Sequence, residues 1–197
     1  MHVMLLQHLF LAISWVLYCV IHSVLANEKV KVKLAFNLKL KLNQYRVWYN
    51  IVAVITLVPL LLFQFSINSK TLFENNFIHH FIAPLFAVTG FIIMVICIVK
   101  YFPLLSGLKD HQAGALPVLE TKGLHSIVRH PLYLGTFLFI TGLFFFRPYF
   151  SNAIAVNLII IYTIWAIRLE EDKLIRQFGS LYKDYCKKVP MLIPFSS

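Results

Sequence analysis

The chain has 197 residues, of which 59% are hydrophobic and only 13% charged, with a net charge of +10 and a mean hydropathy of +0.76. A water-soluble domain of this size is about 45–50% apolar and about 25% charged, so composition excludes a fold that hides its apolar surface in one aqueous core. The basic excess does not mark a nucleic-acid partner: it falls in short segments between long apolar runs and leaves no basic face once those runs are removed.

The first apolar run is Leu5–Ala26. No basic residues precede it and it is too long for a signal-peptide core, so it reads as a retained span. Residues 27–46 alternate apolar and basic side chains (Val30-Lys31-Val32-Lys33, Leu38-Lys39-Leu40-Lys41). They read as a basic loop attracted to anionic headgroups, with a substrate surface as the other reading. The second and third runs, Trp48–Ile67 and Phe81–Tyr101, are, like the first, about 20 residues long, enough to cross ~30 Å of hydrocarbon as a helix.

Two further runs, Pro131–Phe146 and Phe150–Leu169, are separated only by Arg147, Pro148 and Tyr149, which predicts an antiparallel helical hairpin. As a helix the fourth run would be only ~24 Å long. It is expected to start just inside the cytoplasmic boundary, after irregular backbone. Such backbone is tolerated at membrane depth only when buried in protein or lining a cavity, which puts a pocket near residues 115–135. The fold expected is a single all-α, multi-pass membrane domain over residues 1–197. It has about five transmembrane helices and a C-terminal cytoplasmic helix.

Orientation follows from the basic residues. Residues 27–46 hold Lys29, Lys31, Lys33, Lys39, Lys41 and Arg46; the third-to-fourth connection holds Lys100, Lys109, Lys122 and Arg129; the tail holds Arg168, Lys173, Arg176, Lys183, Lys187 and Lys188. Only Lys70 and Arg147 lie on the other side. That split of sixteen to two puts the three rich segments in the cytoplasm and the N-terminus outside. Cys19, Cys97 and Cys186 are scattered without C-x-x-C spacing, which indicates neither a disulfide framework nor a zinc site. His79-His80 and the pair His125 and His130 lack a convincing third ligand, so no metal is expected.

The chemistry concentrates in Lys122-Gly-Leu-His-Ser-Ile-Val-Arg-His-Pro-Leu-Tyr-Leu-Gly135. Pro131 suits the first turn of a helix, where its missing N–H is no loss. His130 then sits at the cap, and the free N–H groups that follow attract a carboxylate or phosphate. Gly135 removes a side chain one turn in, so that a ligand or another helix can approach; Tyr133 offers an aromatic face and a hydroxyl. An ordinary helix start at a membrane interface uses the same residue types. A second constellation is Arg168-Leu-Glu-Glu-Asp172. Glu170 and Glu171 lie close enough to hydrocarbon to need a partner or a wet cavity, and a cationic group such as an α-amine would suit. A local network with Lys173 and Arg168 is the other reading. Beyond them Leu174, Ile175, Phe178, Tyr182, Tyr185 and Val189 form an apolar stripe. It reads as a helix lying on the membrane or capping the pocket, ended by Pro190 and Pro194.

Arg129-His130-Pro131-Leu132-Tyr133-Leu134-Gly135 is followed in order by Glu170-Glu171-x6-Phe178-Gly179-x2-Tyr182-x2-Tyr185-x3-Val189-Pro190-x3-Pro194. This ordered pair, over residues 117–195, resembles the isoprenylcysteine carboxyl methyltransferase family. In the N-terminal half, His22-Ser23-x-Leu25-Ala26, Lys33 and Tyr45-Arg46-x2-Tyr49-Asn50 look like the bacterial branch that includes methanethiol S-methyltransferases.

The resemblance implies methyl transfer from S-adenosylmethionine, bound in a cytoplasm-facing pocket of a bacterial inner-membrane protein. It assigns the cofactor to Pro117, Val118, Leu119, Glu120, His125, His130, Pro131, Leu132, Tyr133 and Glu170; His125 takes a position often occupied by Tyr. Methyl transfer from a sulfonium needs no metal and no covalent intermediate. No catalytic base is therefore assigned, and Arg129 is the candidate for favouring an anionic nucleophile. Family members that methylate a prenylated cysteine carboxylate use an Arg one helical turn before the cofactor Glu. The matching position here is Ala166, and Arg168 points about 200° around the helix from that face. A small or lipophilic thiol is therefore the acceptor implied, with an isoprenylcysteine or lipid carboxylate as the alternative. A non-enzymatic membrane protein of the same ancestry and a membrane sterol reductase are the rival classes.

Overall fold

The computed structural model describes residues 2–74, 77–105 and 118–194. Seven α-helices account for most of these residues: α1 (His2–Ala26), α2 (Glu28–Asn37), α3 (Leu42–Ser66), α4 (Ala83–Leu105), α5 (Pro131–Phe146), α6 (Phe150–Phe178) and α7 (Ser180–Lys188). A π-turn over Ile78–Ile82 leads into α4, and a 3-10 turn over Gly123–Ser126 precedes α5. Four helical stretches are long and apolar enough to cross a membrane: Val3–Ala26, Leu42–Ser66, Ile78–Lys100 and Phe150–Phe178. α5 is a shorter apolar fifth. Exposed Leu9, Ile13, Ile55, Leu62, Phe91 and Ile161 give these helices a lipid-facing surface that water would not tolerate. The fold is the expected all-α multi-pass membrane bundle.

Polar contacts gather at two opposite ends. At one end the Ser69 hydroxyl meets His8 Nε2 at 2.9 Å and accepts from the Ser151 N–H at 2.9 Å. There Leu72 N–H donates to the Pro148 carbonyl and Phe150 N–H to that of Lys70. At the other end Tyr45 donates to the Leu25 carbonyl, Lys173 to Glu28, and Arg129 to Glu171. α5 begins beside Arg129 and finishes at Arg147, so its 16 residues connect both ends. Between the ends Leu11, Trp15, Leu60, Ile67 and Ala155 form an apolar core. A chain of hydrogen bonds crosses it, Trp15 Nε1 to Gln64 Oε1 and Gln64 Nε2 to Asn152 Oδ1, each 2.9 Å. Buried amides in a span need such partners, because lipid supplies none.

Residues 27–46 depart from the expected loop. Asn27 Oδ1 accepts from the Lys29 and Val30 N–H groups and caps α2, and Glu28 in the first turn ties it to Lys173 of α6 at 2.8 Å. α5 packs against α4 through small residues. A Cβ on Gly90 would overlap the Phe139 backbone, and one on Gly142 the Ala87 backbone. A Cβ on Gly135 would come within 3.0 Å of the Gly90 carbonyl. Gly135 thus admits a neighbouring helix rather than a ligand. α6 runs on past the expected limit at Leu169 to Phe178, and Gly179, at φ +58°, turns the chain into α7.

Candidate functional site

At the basic end α4, the segment before α5, the start of α5, the end of α6 and α7 enclose a cavity of about 340 Å³. That lies within the ~300–1,000 Å³ of small-molecule sites. Val118, Leu119, Glu120, His125, His130, Pro131, Leu132, Tyr133 and Glu170 all line it, together with Arg129. Pro117 lies outside the described residues. Residues separated by some fifty positions in sequence meet because the α5–α6 hairpin returns the chain to the end from which it started.

Pro131 occupies the first turn of α5 and no side chain caps the helix at His130. Its first N–H groups, on the cavity-lining Leu132 and Tyr133, therefore have no side-chain acceptor among the described residues. Glu170 Oε2 accepts from the Tyr133 hydroxyl at 3.0 Å and lies 3.8 Å from His130 Nδ1. Its carboxylate is 45% exposed, so it is held from one side and open on the other. Glu171 plays a different part. Its Oε1 meets His130 Nε2 at 3.1 Å and accepts from Arg129 Nε at 2.8 Å and the Tyr182 hydroxyl at 3.3 Å. Of the two acids one faces the cavity and one braces its wall. Neither belongs to a network with Arg168 and Lys173, since Lys173 reaches Glu28 instead.

Arg129 commits its fork to that brace. Besides Glu171 it donates to the carbonyls of Cys186, at 3.1 Å, and Val189, at 2.7 Å. The backbone repeats the tie: Arg129 N–H donates to Pro190 and His130 N–H to Met191. The tail after α7 is thereby stitched to the loop before α5, a part that sequence reasoning did not assign. Burial, then the Glu171 charge, push the Tyr182 phenol well above its ordinary value, so it stays a donor. Burial also lowers the His125 imidazole, with Glu120 pulling it back up and Lys100 and His130 adding to the fall. His125 is therefore neutral at neutral pH.

Leu174, Phe178, Tyr182 and Tyr185 close the cavity from α6 and α7, and Cys97 and Ile98 of α4 wall the opposite side. The helical stripe after Glu171 signalled the first group. Nothing in the apolar third run signalled the second. Of the two roles open to the stripe, capping the pocket is the one observed. Val118–Glu120 carry no regular structure, and Glu120 is braced by Lys100 at 3.6 Å. Together the cavity offers the open Glu170 carboxylate, the Glu120 carboxylate that Lys100 braces, uncapped helix amides and an aromatic wall. A ligand carrying an ammonium, an anionic group and a flat apolar part has a partner for each.

Fold and cavity define a class, a multi-pass membrane protein with a candidate small-molecule site at its basic end. Within that class the chain is similar to the methanethiol S-methyltransferase of Crocosphaera subtropica, 40% identical over 78 residues, or 39% of this chain and 29% of that protein. It is similar to methanethiol S-methyltransferase 1 of Bradyrhizobium diazoefficiens, 35% identical over 105 residues (50% of this chain, 35% of the relative). It is also 34% identical over 91 residues to the protein-S-isoprenylcysteine O-methyltransferase of Schizosaccharomyces pombe (44% and 34%). These relatives carry the two activities of the family that the paired motifs resemble. The chain spans about a third of the length of each. No family model and no solved structure matches the chain.

Proposed function

We propose that the chain is an integral membrane methyltransferase that uses S-adenosylmethionine and acts on a small or lipophilic thiol. Its cofactor cavity opens to the cytoplasm. The observation that carries this reading is the open carboxylate of Glu170 beside the uncapped start of α5. The residues present fit the cofactor. Glu170 suits its amine, the N–H groups of Leu132 and Tyr133 its carboxylate, and Leu119, Leu132 and Phe178 its apolar part. His125 and Val118–Glu120 complete the wall, and Pro117 is proposed with them.

Bound there, S-adenosylmethionine supplies a methyl group activated on a positive sulfur. The chain's part is to position and to dry the site. Tyr133 orients Glu170; Glu171, held by Arg129, fixes His130; Phe178, Tyr182 and Tyr185 keep water out. Arg129 acts in this reading by holding Glu171 and the tail, and no catalytic base is required of the cavity itself.

The thiol acceptor is supported by position 166. Ala166 stands one turn before Glu170, so no cation awaits a carboxylate there. The test incubates membranes carrying the protein with labelled S-adenosylmethionine and offers an alkyl thiol beside a farnesylcysteine analogue. Labelled thioether is the expected product. Preferential methyl ester formation on the farnesylcysteine would overturn the thiol assignment, and no labelled product from either would overturn the activity.

A further inference from the structure

None of residues 27–46 lines the cofactor cavity, and the fold uses little of their charge. Lys31 is buried and pairs with Glu28. Lys29, Lys33, Lys39 and Lys41 are exposed and Arg46 half-buried, and none of these five has an ion pair among the described residues. On α2, Lys29, Val32, Lys33 and Phe36 recur at helical spacing and form one outward face, while Lys31 and Ala35 face inward. Val32 is 55% and Phe36 83% exposed. A face that mixes lysines with bare apolar side chains belongs at the headgroup boundary, where Lys stems lie along lipid and their ammoniums reach phosphate. Tyr45 and Trp48, with ring centroids 5.5 Å apart, mark the same depth on α3.

Next to this boundary begins a groove between α1 and α3 of about 340 Å³. Along α1 it runs from Leu25 to Phe10, ~22 Å at 1.5 Å per residue, longer than the ~15 Å depth of one hydrocarbon leaflet. Spread over that length, the volume gives a section of about 15 Å², room for one extended chain and none for a ring system. Phe10, Leu17 and Ile21 are 41–61% exposed, so the groove is open to lipid along its side. Near its basic end the Tyr49 hydroxyl lies 2.6 Å from His22 Nε2. An imidazole and a phenol hold at least two hydrogens between them, and their mutual bond uses one; a donor remains. Arg46 stands one turn from Tyr49 on the same face of α3, at the mouth of the groove.

We propose that the groove and the basic residues at its mouth form one binding site for an anionic glycerophospholipid. One acyl chain lies between α1 and α3, an ester carbonyl accepts from the His22–Tyr49 pair, and the phosphate meets Arg46 and the α2 lysines. Length and section select a chain, and the unpaired charge selects the headgroup. A choline lipid offers the same chains and esters but offsets its phosphate with a cation of its own. The site does not depend on the methyltransferase reading.

The test titrates the purified full chain in detergent with phosphatidylglycerol and with phosphatidylcholine of the same acyl chains, and counts retained lipid by native mass spectrometry. One phosphatidylglycerol per chain should be held about tenfold more tightly than phosphatidylcholine, a preference that shrinks with added salt. Arg46→Gln combined with Lys33→Gln should abolish the preference and leave phosphatidylcholine retention unchanged. Ala53→Phe, which puts a ring into the groove, should weaken both lipids alike. A phosphatidylglycerol with a photoreactive group in its chain should label α1 and α3 peptides of the wild-type protein, which decides the matter even where Ala53→Phe fails to fold. Equal retention of the two lipids, a preference that survives the double substitution, or label on α4 and α5 instead overturns the proposal. A lipid-free dimer in the mass spectra would give the groove to a second copy of the chain and overturn it as well.

Discussion

Arg129 organises the candidate site from behind. Its side chain is 11% exposed and that of Glu171 19%, so removing one partner leaves a partly buried charge without its counter-ion. Arg129→Ala should destabilise the protein by about 3 kcal/mol, read as a lower melting temperature in detergent. Arg129→Lys should recover only part of it, because a point charge cannot serve a carboxylate and two carbonyls at once. A wild-type melting temperature in Arg129→Ala would remove the tail from the account of the site. Glu28 gives a pH dependence. Burial pushes its carboxyl up, but hydrogen bonds from Lys173 and Lys31 outweigh that and hold it at about 2, below its ordinary 4.5. A depressed carboxylate contributes stability that is present above the ordinary value and lost as pH falls from about 4.5 toward about 2. Amide exchange in α2 should rise through that window ahead of exchange in α5. High salt should weaken the tie at neutral pH, since the pair is half-exposed. His130, Tyr133 and Glu170 were legible in sequence because each sits in a short motif of informative residue types. The grip of Arg129 on the tail was not: its partners lie 57 and 60 positions away and are backbone carbonyls, which any residue supplies.

The same contrast holds for elements. The long runs were readable because hydropathy over about 20 residues is itself the physical requirement for a span. α2 was missed because its alternating basic pattern drew attention to charge. The signal was nevertheless present: Asn27 followed by Glu28 is a capping residue with an acid in the first turn. The closeness of α4 and α5 was only half legible. Gly135 announced an approach without saying by what, whereas its partner Gly90 sits in a featureless run. Gly142→Leu should force the helices apart, because the overlap is with the Ala87 backbone, which cannot rotate away. The expected result is a loss of several kcal/mol, seen as aggregation or a markedly lower melting temperature. Leu143→Ala, one residue on and largely exposed to lipid, should be nearly neutral. Equal effects from the two would mean that the glycine contact is not what holds the pair.

For the molecule as a whole, an N-terminus outside and a C-terminus in the cytoplasm require an odd number of crossings. His8, Ser69 and Ser151 meet at one end, Arg129 and Glu171 at the other, and the basic segments gather with the latter. A reporter fused after Ser197 should be cytoplasmic and one fused before Met1 exported. A C-terminal reporter found outside would invert the molecule and turn the cavity away from a cytoplasmic cofactor. The proposed cofactor site converges on the Glu170 carboxylate that α6 delivers to the start of α5. The direct measurement is therefore equilibrium binding of S-adenosylmethionine to the purified full chain, wild type against Glu170→Gln. Wild type is expected to bind, and loss of one charge-assisted contact, worth on the order of 1.5–3 kcal/mol, should weaken binding roughly ten- to a hundredfold. Undiminished binding by both Glu170→Gln and His130→Ala would contradict the placement of the cofactor in this cavity.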